Sequence, residues 1–180
     1  MRQMVISYPT LDPQDLQWML HLREQYPALL NNGIPPHFTL VFPLGDAEIA
    51  PAALREHVRA VTVNQRAIPF AIRCAVPYKD PSSPYTFVFL VPDEGFSQVV
   101  RLHDRLYSGL LAAHLRLEIP FTPHITLGYS SNMPYCKAVA DIINTEPLEI
   151  IGSIKTLDVL HENDNHLRSV DQVMLRQARG

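Results

Sequence analysis

The pentapeptide Pro36-His37-Phe38-Thr39-Leu40 recurs in form as Pro123-His124-Ile125-Thr126-Leu127, with the two histidines 124 − 37 = 87 positions apart. In an extended strand, residues two apart share a face. Each copy therefore predicts a strand that buries Phe38 and Leu40, or Ile125 and Leu127, while its histidine and threonine look the other way. A slip of one residue would drive an imidazole and a hydroxyl into the core, so burial and register specify each other.

Around each copy the elements come in the same order. Gln3–Tyr8 reads as a strand, and Asp12-Pro13 supplies an N-cap and a first-turn proline for a helix carrying Leu16, Met19, Leu20 and Tyr26. Asn31-Asn32-Gly33 and Pro35-Pro36 turn the chain into the strand of His37–Phe42. A helix over about Ile49–Val63 and an alternating strand through Phe70, Ile72, Cys74 and Val76 follow. The second series runs through a strand at Tyr85–Val91, a long helix predicted over about Gly95–Leu115, and the strand of His124–Tyr129. A helix from Pro134 to about Thr145, a strand over Leu148–Leu160 and a last strand over about Leu167–Arg176 complete it. The last two pair as a hairpin across Glu162-Asn163-Asp164-Asn165. This repeated order implies a pseudo-duplicated α+β architecture with two sheets, a single domain over 1–180 with approximate half-repeats 1–80 and 84–180.

Composition narrows the function. At 180 residues, 47% hydrophobic, the chain can bury a real core, and no stretch approaches the roughly 20 apolar residues of a membrane span. The N-terminus lacks the long apolar run of a signal peptide, so a soluble, cytoplasmic protein is expected, with no membrane partner. Cys74 and Cys136 lack any CxxC or zinc-like spacing and read as reduced thiols. A net charge of −3 argues against gripping long duplexes through many phosphate contacts, but not against a small phosphate ester or a strand end. There is no Gly-x-Ser-x-Gly and no Gly-x-x-x-x-Gly-Lys, so neither a serine hydrolase nor a P-loop is indicated.

A lone histidine on a strand is most often a hydrogen-bonded structural group. Two copies of His-apolar-Thr-apolar arising by chance among eight histidines is on the order of a few in a thousand at ordinary composition. The paired motifs, each preceded by proline, resemble those of the two-histidine phosphoesterases, specifically the 2'-5' RNA ligase and RNA 2',3'-cyclic phosphodiesterase branch. The resemblance covers essentially the whole chain. It implies a bilobal α+β fold with two mainly antiparallel sheets around a central cleft, helices outside, and His37 and His124 as the catalytic pair facing each other. It further implies that Thr39 and Thr126 hold the substrate phosphate, with His37 as general acid for the 2'-oxygen and His124 as general base.

The chemistry is sensible in its own right. Opening a cyclic phosphate needs a base for water, an acid for the leaving oxygen and donors for the nonbridging oxygens. With a pKa near about 6.5, histidine serves the first two roles, and threonine hydroxyls serve the third. Neither motif contains a carboxylate, so neither a metal nor a cofactor is expected. The expected partner is an RNA end or small nucleotide, acted on by a monomer. Two alternatives keep the same cleft: a phosphodiesterase for another cyclic phosphate, of an ADP-ribose type, and a non-catalytic nucleotide-binding module.

One departure stands out. Where relatives often place arginine or lysine after the second motif, this chain has Gly128-Tyr129-Ser130-Ser131. Tyr129 and Ser130 are then candidate polar substitutes, and Arg73 a candidate source of charge. Tyr85, with Tyr78 and Phe121, is a candidate to stack a base. His21, His57, His103 and His114 share no ligand spacing, while His161, Asp164 and His166 form a weak candidate cation site around the acidic turn.

Overall fold

The computed structural model describes residues 2–163 and 166–177. The chain enters as β1 (Arg2–Ser7) and a short β2 (Thr10–Leu11). Asp12 then caps α1 (Pro13–Gln25), its carboxylate accepting from Gln14 N at 2.8 Å, and Pro13 sits in the first turn, where its missing N–H leaves no bond unmade. β3 (Phe38–Gly45), α2 (Pro51–Thr62) and β4 (Ile68–Lys79) complete the first series. The second comprises β5 (Thr86–Glu94), α3 (Phe96–Leu106), β6 (Ile125–Ser130), α4 (Met133–Ile143), β7 (Ile150–Ile154) and β8 (Thr156–Asn163), with β9 (His166–Met174) appended. Among the described residues no helix is long and apolar enough to cross a membrane.

The α+β class, the antiparallel pairing and the outer helices are as expected. The two expected sheets are present as two lobes, but they join into one nine-stranded sheet, ordered β2-β7-β4-β5-β6-β3-β1-β8-β9. A single register pair, Phe38 with Ile125, makes the joint. The half-repeats are not the lobes. β4, from the first series, pairs with β5 of the second, and β8, from the second, pairs with β1 of the first. Each series thus lends strands to the other lobe, β2 and β4 from the first and β8 with the appended β9 from the second, so that neither lobe is closed by its own sequence alone.

Two elements differ from the expected boundaries. The long helix stops at Leu106 and resumes as a 3-10 segment over Gly109–His114, because Gly109 takes φ +51 and the Ser108 hydroxyl donates back to the Arg105 carbonyl. The strand expected over Leu148–Leu160 breaks at Lys155 into β7 and β8, which lie in different lobes. Apolar alternation continues through the break, so periodicity does not reveal that the chain crosses from one lobe to the other.

One apolar cluster runs under both lobes and contains Phe38, Leu40, Ile125 and Leu127, each at most 1% exposed. Phe38 meets Phe70 of β4 edge to face at 5.1 Å, tying the lobes together. At roughly 1.5–3 kcal/mol for each large apolar side chain buried, these four residues fix which way both motif strands face.

Candidate active site

Continuing the Phe38–Ile125 register one step either way sets His37 opposite Thr126 and Thr39 opposite His124. Residues directly opposite in an antiparallel pair have Cβ atoms about 4.5–5.5 Å apart. The burial pattern matches: Phe38, Leu40, Ile125 and Leu127 are buried, while His37, Thr39, His124 and Thr126 are half-buried on the other face. Four side chains from two distant pentapeptides therefore share one patch of the concave surface.

Each histidine is held in the same way. His37 Nδ1 lies 2.7 Å from the Pro35 carbonyl and His124 Nδ1 lies 2.7 Å from the Thr122 carbonyl, in both cases the residue two positions earlier. A carbonyl only accepts, so each Nδ1 carries the proton and the nitrogen left for proton exchange is Nε2. The intervening Pro36 and Pro123 are buried and hold the backbone extended on the approach to each histidine. An aromatic ring flanks each imidazole: Phe89 stacks on His124 with centroids 3.5 Å apart and planes at 15°, and Tyr8 meets His37 edge-on at 6.2 Å.

Burial shapes the protonation of both rings. Desolvation pushes the His124 pKa down to about 4 against the pull of the Thr122 carbonyl, and His37 adds a smaller push in the same direction. His37 is also lowered, first by desolvation and then by the charge of Arg23. Near neutral pH both rings are therefore neutral before any anion binds.

Arg23 was not anticipated as a site residue. From α1 its guanidinium donates to three carbonyls: Nε to Leu127 at 3.1 Å, one terminal nitrogen to Thr126 at 2.9 Å, and the other to Ile34 at 2.8 Å. It closes the edge of β6 where β3 diverges, and Leu30 closes the next step by exchanging backbone bonds with Tyr129. The sequence carried a signal: Arg23 lies four residues after Met19, a charged side chain beside the buried stripe of its helix.

A cavity of about 270 Å³ opens beside His124 and Thr126, walled by Phe42, Tyr78, Phe87 and Phe89. Asp80, Ser82 and Arg116 line its polar part. Of the expected stacking residues, Tyr78 lines this cavity. Phe121 instead lies flat on His103 at 3.6 Å, beneath the site. Tyr85 and Tyr129 meet edge to face at 5.0 Å, and Tyr129 also packs on Phe87 at 5.3 Å, so they continue the aromatic row beyond the cavity. Phe42 and Phe87 escaped sequence reading because aromatic residues in apolar strands read as core.

Two expectations are corrected. Arg73 is bound by Asp93, Glu94 and Glu149 on an exposed surface, three carboxylates that occupy its guanidinium and remove it as a phosphate ligand. Ser130 is buried and its hydroxyl accepts from Asn132 N at the entry to α4, so it shapes a turn. Of the remaining histidines, His57 and His103 bond backbone carbonyls and His114 approaches Glu48. Among the described residues no group of three or more His, Cys, Asp or Glu side chains is placed to hold a metal ion. The His161, Asp164 and His166 grouping depends on Asp164, which lies outside the described residues. Cys74 and Cys136 are both free thiols.

With this geometry established, the chain matches the model of the 2'-5' RNA ligase superfamily over residues 11–166. It belongs to that superfamily, the two-histidine phosphoesterases. A protein of Geobacillus sp. (strain WCH70), provisionally named a phosphoesterase, is 28% identical over 129 residues, a span covering 72% of this chain and 65% of that protein. The match thus takes in less than two thirds of that relative's length. Among solved structures, E. coli LigT complexed with 3'-AMP superposes with a TM-score of 0.61 at 14% identity, covering 97% of each chain. Usb1 of Kluyveromyces marxianus gives 0.56 at 12% identity, covering 97% of this chain and 98% of that one. These two likenesses establish the fold.

Proposed function

We propose that the chain is a metal-independent phosphoesterase that opens 2',3'-cyclic phosphates or cleaves 2'-5' phosphodiesters at RNA ends or in small nucleotides. The observation that carries this reading is the matched tethering of His37 and His124, which leaves two Nε2 atoms on one patch with Thr39 and Thr126 between them. In this scheme His124 Nε2 takes a proton from water as its oxygen bonds to phosphorus. His37, protonated, delivers a proton to the ribose oxygen as its bond to phosphorus breaks. Thr39 and Thr126 hydroxyls donate to the nonbridging oxygens. The lowered pKa of His124 leaves its Nε2 free to take a proton, and the charge of bound phosphate raises its basicity toward the range a general base needs. The same charge keeps a proton on His37, the less depressed of the two rings. Small-nucleotide substrates accord with LigT, solved in complex with 3'-AMP and with NADP+. A cytosolic setting accords with the two free thiols.

The test is turnover of nucleoside 2',3'-cyclic phosphates and 2'-5' dinucleotides in EDTA. Wild-type protein should turn over at least one, and His37→Ala or His124→Ala should each cut the rate by about 10²–10⁴. Thr39→Val and Thr126→Val should be milder and affect KM as well. Turnover abolished by chelation and restored by a divalent ion, or near-normal rates in either histidine variant, would sink the mechanism. Binding without turnover would leave the nucleotide-binding module in its place.

A further inference from the structure

We infer that the cavity beside His124 is a base-recognition subsite selective for guanine, an inference that rests on the phosphoesterase reading for its phosphate anchor. The cavity is lined by His124 and Thr126 but extends along β5 and the loops around Asp80 and Arg116, so the site has a direction. A phosphate on the histidines places its nucleoside on this side. Tyr78 stacks on Phe89, with centroids 5.0 Å apart and planes at 19°, and Phe89 in turn stacks on His124, so within this row of rings Tyr78, which lines the cavity, is the one with a face to offer a base.

Stacking accepts any base, and the polar part discriminates. Asp80 is held below the usual carboxylate range by the Ser83 hydroxyl and the Ser82 N–H, with smaller contributions from the charges of Lys79 and then Arg116, so it is a fixed acceptor. Arg116 donates its Nε to Glu118 at 2.9 Å, which orients a group that can only donate. The loop bearing Asp80 is pinned by Lys79, whose ammonium donates to the carbonyls of Asp80, Ser83 and Tyr85. A carboxylate is best matched by two adjacent donors, and guanine alone of the four RNA bases offers them, as N1–H beside the N2 amino group. Its other edge, O6 and N7, is the acceptor pair that arginine reads. Adenine and cytosine present one amino group to the carboxylate, and uracil one imide N–H.

The experiment measures binding and turnover separately on the full chain. Calorimetry with the 3'-monophosphates of guanosine, adenosine, cytidine and uridine should show guanosine preferred by at least about tenfold. Asp80→Asn and Arg116→Met should each bring the four to within about twofold of one another, with affinity for guanosine 3'-monophosphate falling the most. Arg116 is exposed enough that its variant tests the idea even if Asp80→Asn disturbs its loop. Equal affinities in the wild type, no binding of any of the four, or preference surviving in Arg116→Met would overturn the inference. Preferential binding of guanosine without turnover of any cyclic phosphate would uphold the subsite and refute the phosphoesterase reading instead, whereas turnover without base preference would do the reverse.

Discussion

Binding of phosphate should place a proton on a site that is uncharged without it. With a His124 pKa of about 4, only about one ring in a thousand is protonated at pH 7 in the free protein. A phosphate oxygen about 4 Å from the ring, at an effective dielectric of about 20, favours the imidazolium by roughly 4 kcal/mol. At 1.36 kcal/mol per unit, this raises the pKa by about 3, to near 7. Histidine side-chain NMR across pH 3–9, with and without saturating inorganic phosphate, would measure both values, using His124→Ala for assignment. Phosphate should also bind more tightly as pH falls toward neutrality, with a net proton uptake that differs between buffers of different ionisation enthalpy. A free-protein pKa near 6.5, or one that bound phosphate does not move, would refute the electrostatic account. The same shift bears on folding. Because the folded value lies below the unfolded 6.5, the unfolded chain binds the proton first, so stability is full above about pH 6.5 and falls as pH drops toward 4. The limiting loss is about 3 kcal/mol, reduced to roughly 1–2 kcal/mol by the solvent that reaches the half-buried ring.

Arg23→Met should cost about 3 kcal/mol in urea denaturation, since three carbonyls lose a charged donor. It should also raise the pKa of His37 by removing a nearby positive charge, a shift visible in the same NMR titration. Gly128→Ala would set a Cβ 2.8 Å from Leu29 Cβ and 3.0 Å from the Leu30 carbonyl, which is already bonded to Tyr129 N. Thermal unfolding should show a loss of about 1–3 kcal/mol. Arg73→Ala should leave kcat and KM unchanged, and a loss of activity would show that its three carboxylate partners do not define its role.

Local periodicity is written in the order of the residues themselves. The alternation through Phe38, Leu40, Ile125 and Leu127 made the faces of both motif strands legible, because burying those four residues is worth more than any competing register. The Asp12-Pro13 cap made the start of α1 legible for the same kind of local reason. Long-range partners were not legible. Arg73 looked available because nothing near it in sequence foretold Asp93, Glu94 and Glu149, while Arg23 went unnoticed because two of the carbonyls it satisfies lie more than a hundred residues away. The exchange of β4 and β8 between lobes is equally invisible to periodicity, which records that a strand has an apolar face but not which neighbour covers it. The sequence thus determined which histidines and threonines could share a surface. Tertiary structure alone decided that Phe89 would stack on one imidazole, that burial would strip its proton, and that a cavity would open beside it, since each depends on atoms brought together only when the lobes close.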